Sequence, residues 1–335
     1  MTLALPFDDF RSLLRQLPEG DERAGEAVRS VFARADKPAG SLGRLEEIAA
    51  WLATWSGRPQ PAIRRAEVAI FAGNHGVAVS HDISPRSIEA TARAVELCAA
   101  GGAAINQICL ANDLGLKVFD LALHLPTGDI TSDAALDERG CAATMAFGME
   151  AVAGGADLLC IGDLGVGNST VAAALCAAIH GGAGADWIGP SSGADAAMQA
   201  RKAEAVDAAL AFHGAHLGDP LEALRRVGGR EFAAIAGAIL AARMQKIPVL
   251  LDGYPAIAAA SVLHAENPSS LDHCLVAQVT VEPGQAKAAA NLGMRPLVDL
   301  GMGHSEGVGA ALVAGFVKAA ALTASGVAAA LPRAQ

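Results

Sequence analysis

The feature that most constrains the fold of this 335-residue chain is a repeated alternation of short apolar runs and alanine-rich stretches. From Glu67 onward the runs are EVAIFAG (67–73), LKVFDLAL (116–123), DLLCIGD (157–163), IPVLLDG (247–253), CLVAQVT (274–280) and PLVDLG (296–301). Each has strand length, most end in Gly or Asp, and the segments between them are long enough for helices. Strands alternating with helices mean βαβ units and a mostly parallel sheet flanked by helices, an α/β fold. Composition agrees. The chain is 52% hydrophobic but only 4% aromatic, which suits small residues at close helix–sheet contacts. Many of the 37 glycines fall at the ends of the apolar runs, where strand-to-helix turns belong.

The N-terminal part differs. Residues 1–60 read as helical, forming the N-terminal segment of a smaller helical domain, and 61–335 read as the α/β domain with a C-terminal helix. Leu45, Ile48, Leu52 and Trp55 recur at spacings that make one apolar helix face. GRPQP (57–61) breaks that helix. The apolar run 310–331 carries Lys318 and two glycines and reads as a buried core helix rather than a membrane span.

Several classes of partner are excluded or disfavoured. A net charge of −10 with no basic cluster argues against nucleic acid. The six cysteines form no CxxC pair and sit in apolar segments, as reduced thiols of a cytoplasmic protein do. The start, MTLALPFDDF, lacks the charged region and cleavage site of a signal peptide.

In a parallel sheet, ligands bind beyond the carboxyl ends of the strands. The segments that follow the runs are therefore the candidate rim: Asn74-His75-Gly76, 126–129, 163–170, Asp252-Gly253-Tyr254 and the Glu306 segment. IGDLGVGNST offers a glycine turn (Gly165, Gly167) into a helix start, where Asn168, Ser169 or Thr170 is expected to cap and backbone N–H groups to face a phosphate. It matches neither the Walker A nor the dinucleotide fingerprint, and an ordinary capped turn is the plain alternative. A second turn spans Gly189 to Gly193. Arg201 and Lys202 follow at a distance that reaches back to a phosphate, a solvated helix face being the plain alternative. KPAGSLGRLEEIA (37–49) reads as a rigid loop over a site or a simple helix start. His213 and His216 read as surface. His75, His81 and Asp82 are a weak metal constellation, with no HxxxH or HExxH motif. No GxSxG motif marks a hydrolase. GMGHSEGVG places one carboxylate, Glu306, among glycines, as a general base at a pocket floor would be.

KPAGSLGRLE, FAGNHGV, IGDLGVGNST, LDGYPA and GMGHSEGVGAAL, in this order, resemble the nicotinate-nucleotide–dimethylbenzimidazole phosphoribosyltransferase family over about residues 5–325. The resemblance implies a Rossmann-like domain with a smaller helical domain, a homodimer, and no metal or other cofactor. It implies transfer of phosphoribose from nicotinate mononucleotide to 5,6-dimethylbenzimidazole in cobalamin nucleotide-loop assembly. Glu306 and Asp163 would be catalytic. Gly165, Gly167, Asn168, Ser169, Thr170, Gly189, Gly193 and Lys202 would hold phosphate and ribose. His75, Ser84, Arg93, His304 and Ser305 would line the base pocket. The chain departs from the family pattern at Asp163 (usually Glu), Arg93 (usually Gln), Gly303, His304, Ser305 and Val308. These departures surround the candidate site, so a divergent acceptor base or a binding-only homologue are the competing readings.

Overall fold

A computed structural model describes residues 5–191, 193–303 and 306–331. Five parallel strands form the main sheet: β1 (Ala66–Ala72), β2 (Gly115–Asp120), β3 (Leu158–Leu164), β4 (Val249–Leu251) and β5 (Cys274–Val276), in spatial order β2-β1-β3-β4-β5. β3 is buried along its whole length and β1 nearly so, while β2 is partly exposed at an edge. That is why the central strands read as unbroken apolar runs rather than as alternating patterns.

Two runs behave differently from the expectation of one sheet. CLVAQVT divides at Ala277 into β5 and β6 (Gln278–Thr280), and β6 pairs with β7 (Val298–Met302) in a separate two-stranded parallel sheet. The backbone bends at Ala277 because its N–H still bonds β4 at Leu251 while its carbonyl accepts from Leu297 and Val298. The PLVDLG strand thus lies outside the main sheet, yet its turn still reaches the rim.

The N-terminal segment folds as helices Asp8–Arg15, Glu22–Arg34 and Arg44–Ser56. In the last of these Ile48, Leu52 and Trp55 are buried, and Leu45 is partly so. Asp21 caps the middle helix by accepting from the Arg23 and Ala24 amides. The second and third helices share a core with the long helix Val308–Ala330, whereas Phe7, Phe10 and Leu14 join the core on the other face of the sheet. Val308–Ala330 is apolar and long enough to cross a bilayer by length and composition. Its Val313, Ala314, Val317, Ala320 and Ala321 are buried in the protein core.

Small residues set the layer spacing on the other face. Helix Arg230–Met244 packs on Glu138–Met149 through two glycines. A Cβ on Gly148 would lie 2.5 Å from the Ala234 carbonyl carbon, and one on Gly237 would lie 2.7 Å from that of Met145. The alanine- and glycine-rich composition is what this contact requires.

Candidate active site

The chain leaves β1 for β2 on one side and crosses back to β3 on the other, so a crevice opens between the carboxyl ends of β1 and β3. This topological switch point is where open α/β sheets bind ligands. Gly165, just after β3, lies so near the β1 loop that a Cβ there would sit 2.8 Å from the Gly73 carbonyl oxygen.

After β3 the turn ends at Gly167 (φ +85°), the N-cap of helix Asn168–His180. The expected side-chain cap is not made. Asn168, Ser169 and Thr170 are the first three helical residues, and no side chain caps the helix. Asn168 Nδ2 instead donates to Asp163 Oδ2 at 2.8 Å, fixing that buried carboxylate. Thr170 is fully buried in the helix. An uncapped helix start carries N–H groups and a positive dipole end toward an anion.

Lys202 corrects the solvated-face alternative. Only 1% exposed, its Nζ donates to Ser191 Oγ at 2.5 Å, Ser169 Oγ at 3.2 Å and the Gly189 carbonyl at 3.4 Å. The Ser191 hydroxyl also contacts Glu282 Oε1, a buried carboxylate. Burial pushes the Lys202 ammonium below the usual lysine range, and Glu282 partly opposes this. Gly189 contributes its carbonyl. Gly193 (φ +99°) is exposed in the following turn, and it is Ser191 that faces the cavity. Arg201, one residue earlier, points outward and holds Asp82 at 2.8 Å.

Lys202, Ser169, Ser191 and the Gly165–Asn168 turn line a cavity of about 260 Å³ that also contains Ser84, Arg86, Asp163 and Glu306. A second cavity of about 600 Å³ adjoins it, with Arg86, Arg93, Ala94, Leu97 and Ala103 in its wall. Glu306 belongs to both. Its backbone is left-handed (φ +43°), unusual for a residue with a side chain, and Gly307 follows at φ +75°. This turn presses on β3 at Gly162, where a Cβ would lie 2.5 Å from Gly307 Cα and 2.8 Å from the Glu306 carbonyl carbon. Gly303 borders the smaller cavity; His304 and Ser305 lie outside the described residues.

His75 is not brought to either cavity. It is fully buried, and its Nε2 is 2.5 Å from Glu231 Oε1, beneath the Gly73 and Gly165 turns. His81 pairs with Asp129 at 3.2 Å and Asp82 with Arg201, so the weak metal constellation comes apart. Among the described residues no group of three or more His, Cys, Asp and Glu is placed to hold a metal. His213, read as surface, is buried, with Nε2 donating to the Ile130 and Asp133 carbonyls. The KPAGSLG loop is tied by Lys37 to Glu46 at 2.7 Å and borders a different cavity of about 960 Å³.

Sequence reasoning missed Arg86, Ser191 and Glu282. Glu282 carried a usable signal, an acid just before a helix-opening proline. Thr91 was also missed; buried, its hydroxyl accepts from the Val166 amide at 3.1 Å and so supports the Gly165–Gly167 turn.

A doubly wound sheet with a lysine-and-hydroxyl pocket at its switch point, opening onto a carboxylate-walled cavity, defines a nucleotide-type α/β site. The chain belongs to the DBI_PRT phosphoribosyltransferase family, whose model matches residues 17–331. It is 62% identical over 324 residues to a nicotinate-nucleotide–dimethylbenzimidazole phosphoribosyltransferase of Brucella melitensis biotype 2, covering 97% of this chain and 95% of the relative. A protein of the same name from Rhizobium johnstonii is 63% identical over the same shares. Among solved structures, the nicotinate-nucleotide–dimethylbenzimidazole phosphoribosyltransferase of Thermus thermophilus superposes with a TM-score of 0.84 at 34% identity, over 91% of this chain and 96% of that one.

Proposed function

We propose that this protein transfers the phosphoribosyl group of nicotinate mononucleotide to 5,6-dimethylbenzimidazole, forming α-ribazole 5′-phosphate and nicotinate. The observation that carries the reading is the position of Glu306 on the wall common to a small polar pocket and a larger, partly apolar one. The small pocket, with Lys202, Ser169, Gly165 and Gly167, suits the phosphate and ribose. The larger, with Ala94, Leu97, Ala103 and Arg93, suits a bicyclic base, with Ser84 near the junction.

The chemistry follows from the substrates. One benzimidazole nitrogen attacks C1′ as the C1′–N bond to the pyridinium breaks. The bond pair passes to the pyridine nitrogen, so the leaving group needs no general acid. The attacking base becomes cationic, and Glu306 takes the proton from its other nitrogen, later releasing it to water. Asp163, held by Asn168, offsets positive charge developing at the ribose. The reaction needs no redox or metal cofactor.

Incubation with nicotinate mononucleotide and dimethylbenzimidazole should yield nicotinate and an α-linked product by chromatography and NMR. Glu306→Gln should lower kcat by at least about 10²; near-normal turnover would remove its role as base. We further propose a cytoplasmic homodimer. The buried, unpaired cysteines suit a reducing compartment, and exposed Leu110, Phe316 and Leu322 offer apolar surface to a second copy. A monomeric mass in sedimentation would remove the dimer.

A further inference from the structure

Helix Val308–Ala330 starts from Gly307, which has no side chain with which to cap it. The cap comes from across the sheet. Asp252, just beyond β4, is fully buried, and its Oδ2 accepts from the Gly309 N–H at 2.7 Å. The amides of Ala310 and Gly253 also favour this carboxylate's charged form. Its Oδ1 accepts from Gln278 Nε2 at 2.8 Å, at the start of β6. Gly309 permits this approach, since a Cβ there would lie 2.5 Å from the Gln278 amide carbon. One carboxylate therefore fastens β4, β6 and the final helix together. Three residues before the capped amide stands Glu306, in a left-handed conformation that persists only where its surroundings hold it.

We propose that Asp252 is the positioning residue of Glu306, holding the Glu306–Gly307 turn against β3 through its cap on the final helix. The proposal rests on the reading of Glu306 as proton acceptor. A carboxylate is required rather than an amide because the groups facing it are all donors: Gln278 Nε2 and the N–H groups of Gly309, Ala310 and Gly253. Burial raises the Asp252 pKa to about 6 and those donors oppose the rise, which leaves it mainly ionised near neutral pH. Asp252 is in the cavity lining of neither substrate pocket, so it acts through the backbone that it holds.

The test uses Asp252→Asn, Gln278→Glu and the double variant in the full chain. In Asp252→Asn the charge is lost and the new NH2 group either meets the Gly309 N–H or requires the Gln278 amide to turn over, and kcat should fall roughly 10- to 100-fold, the scale of an ångström-level misplacement of a reacting group. The KM for nicotinate mononucleotide should stay within about twofold, since the phosphate pocket is untouched. Adding Gln278→Glu restores a donor–acceptor match and should recover most of kcat. Added to Glu306→Gln, Asp252→Asn should cost nothing further, because the group it positions is already gone. Hydrogen exchange of the 306–312 amides should quicken in Asp252→Asn. Full kcat in Asp252→Asn, or an additive loss in the Glu306→Gln background, overturns the proposal. If the wild type releases no nicotinate, the functional reading fails separately, and unchanged exchange over 306–312 then overturns the positioning role alone.

Discussion

Lys202 shows how a single side chain can carry a site. A lysine that is almost wholly buried must find acceptors or surrender its proton, and this one directs its three donors to Ser191, Ser169 and the Gly189 carbonyl. With the nearby Glu282 carboxylate it forms the polar cluster that, in the proposed function, is offered to an entering phosphate. Lys202→Met removes the charge but leaves Glu282 buried. We expect the KM for nicotinate mononucleotide to rise about 10- to 100-fold, the range of one lost charged hydrogen bond at roughly 1.5–3 kcal/mol. An unchanged KM would place the phosphate elsewhere. The sequence named Lys202 as a phosphate candidate, but its burial and its serine partners were not legible there. Lysines on an alanine-rich helix are usually solvated, and nothing local marks one that turns inward. His75 misled in the same way: its partner Glu231 lies 156 positions away, so a rim residue by spacing became a buried support by contact.

At the scale of elements, close approach decides the geometry. The Glu306–Gly307 turn lies directly on β3 because Gly162 has no side chain there. Gly162→Ala would drive a methyl group into backbone that has no rotamer with which to yield. We expect a loss of about 1–3 kcal/mol in urea-unfolding stability. We also expect a fall in kcat larger than the change in the KM for the nucleotide, because the displaced residue is Glu306. Equal stability and turnover in the variant would show that the turn has slack. Most strands were legible, since β1, β3 and β4 are buried on both faces and leave an apolar run as their imprint. The break at Ala277 was not, because one residue's change of hydrogen-bond partner leaves no mark on hydropathy. The absent cap on helix Asn168–His180 was hidden as well. Asn168, Ser169 and Thr170 are good capping types, but Gly167 in the left-handed region starts the helix one position early.

For the whole molecule, two buried groups make stability depend on pH in opposite senses. His273 donates to the Ile239 carbonyl at 3.0 Å and packs edge-on to Trp55. Burial, aided by Arg243, depresses its pKa from 6.5 to about 3. Below pH 6.5 the unfolded chain therefore takes up a proton that the fold refuses. The stability due to neutral His273 is complete above that pH and is lost as pH falls toward 3. Asp252 runs the other way. Its pKa rises from 3.8 to about 6 on folding, so the fold binds the extra proton and gains stability as pH falls from 6 to 3.8. Urea midpoints measured from pH 7 to 4 should fall less steeply in His273→Gln and more steeply in Asp252→Asn than in the wild type. Parallel profiles for all three would contradict this account.

The two cavities that meet at Glu306 share Pro85, Arg86, Ala90 and Ala94, but each also has a wall of its own. Only the smaller one reaches residues 163–202, and only the larger one reaches Arg93, Leu97 and 102–104. Such a division lets a lineage explore new acceptor bases through substitutions at positions such as Arg93 and Leu97 while its grip on the phosphoribosyl donor is inherited intact. Innovation in one substrate need not be accompanied by loss of the other.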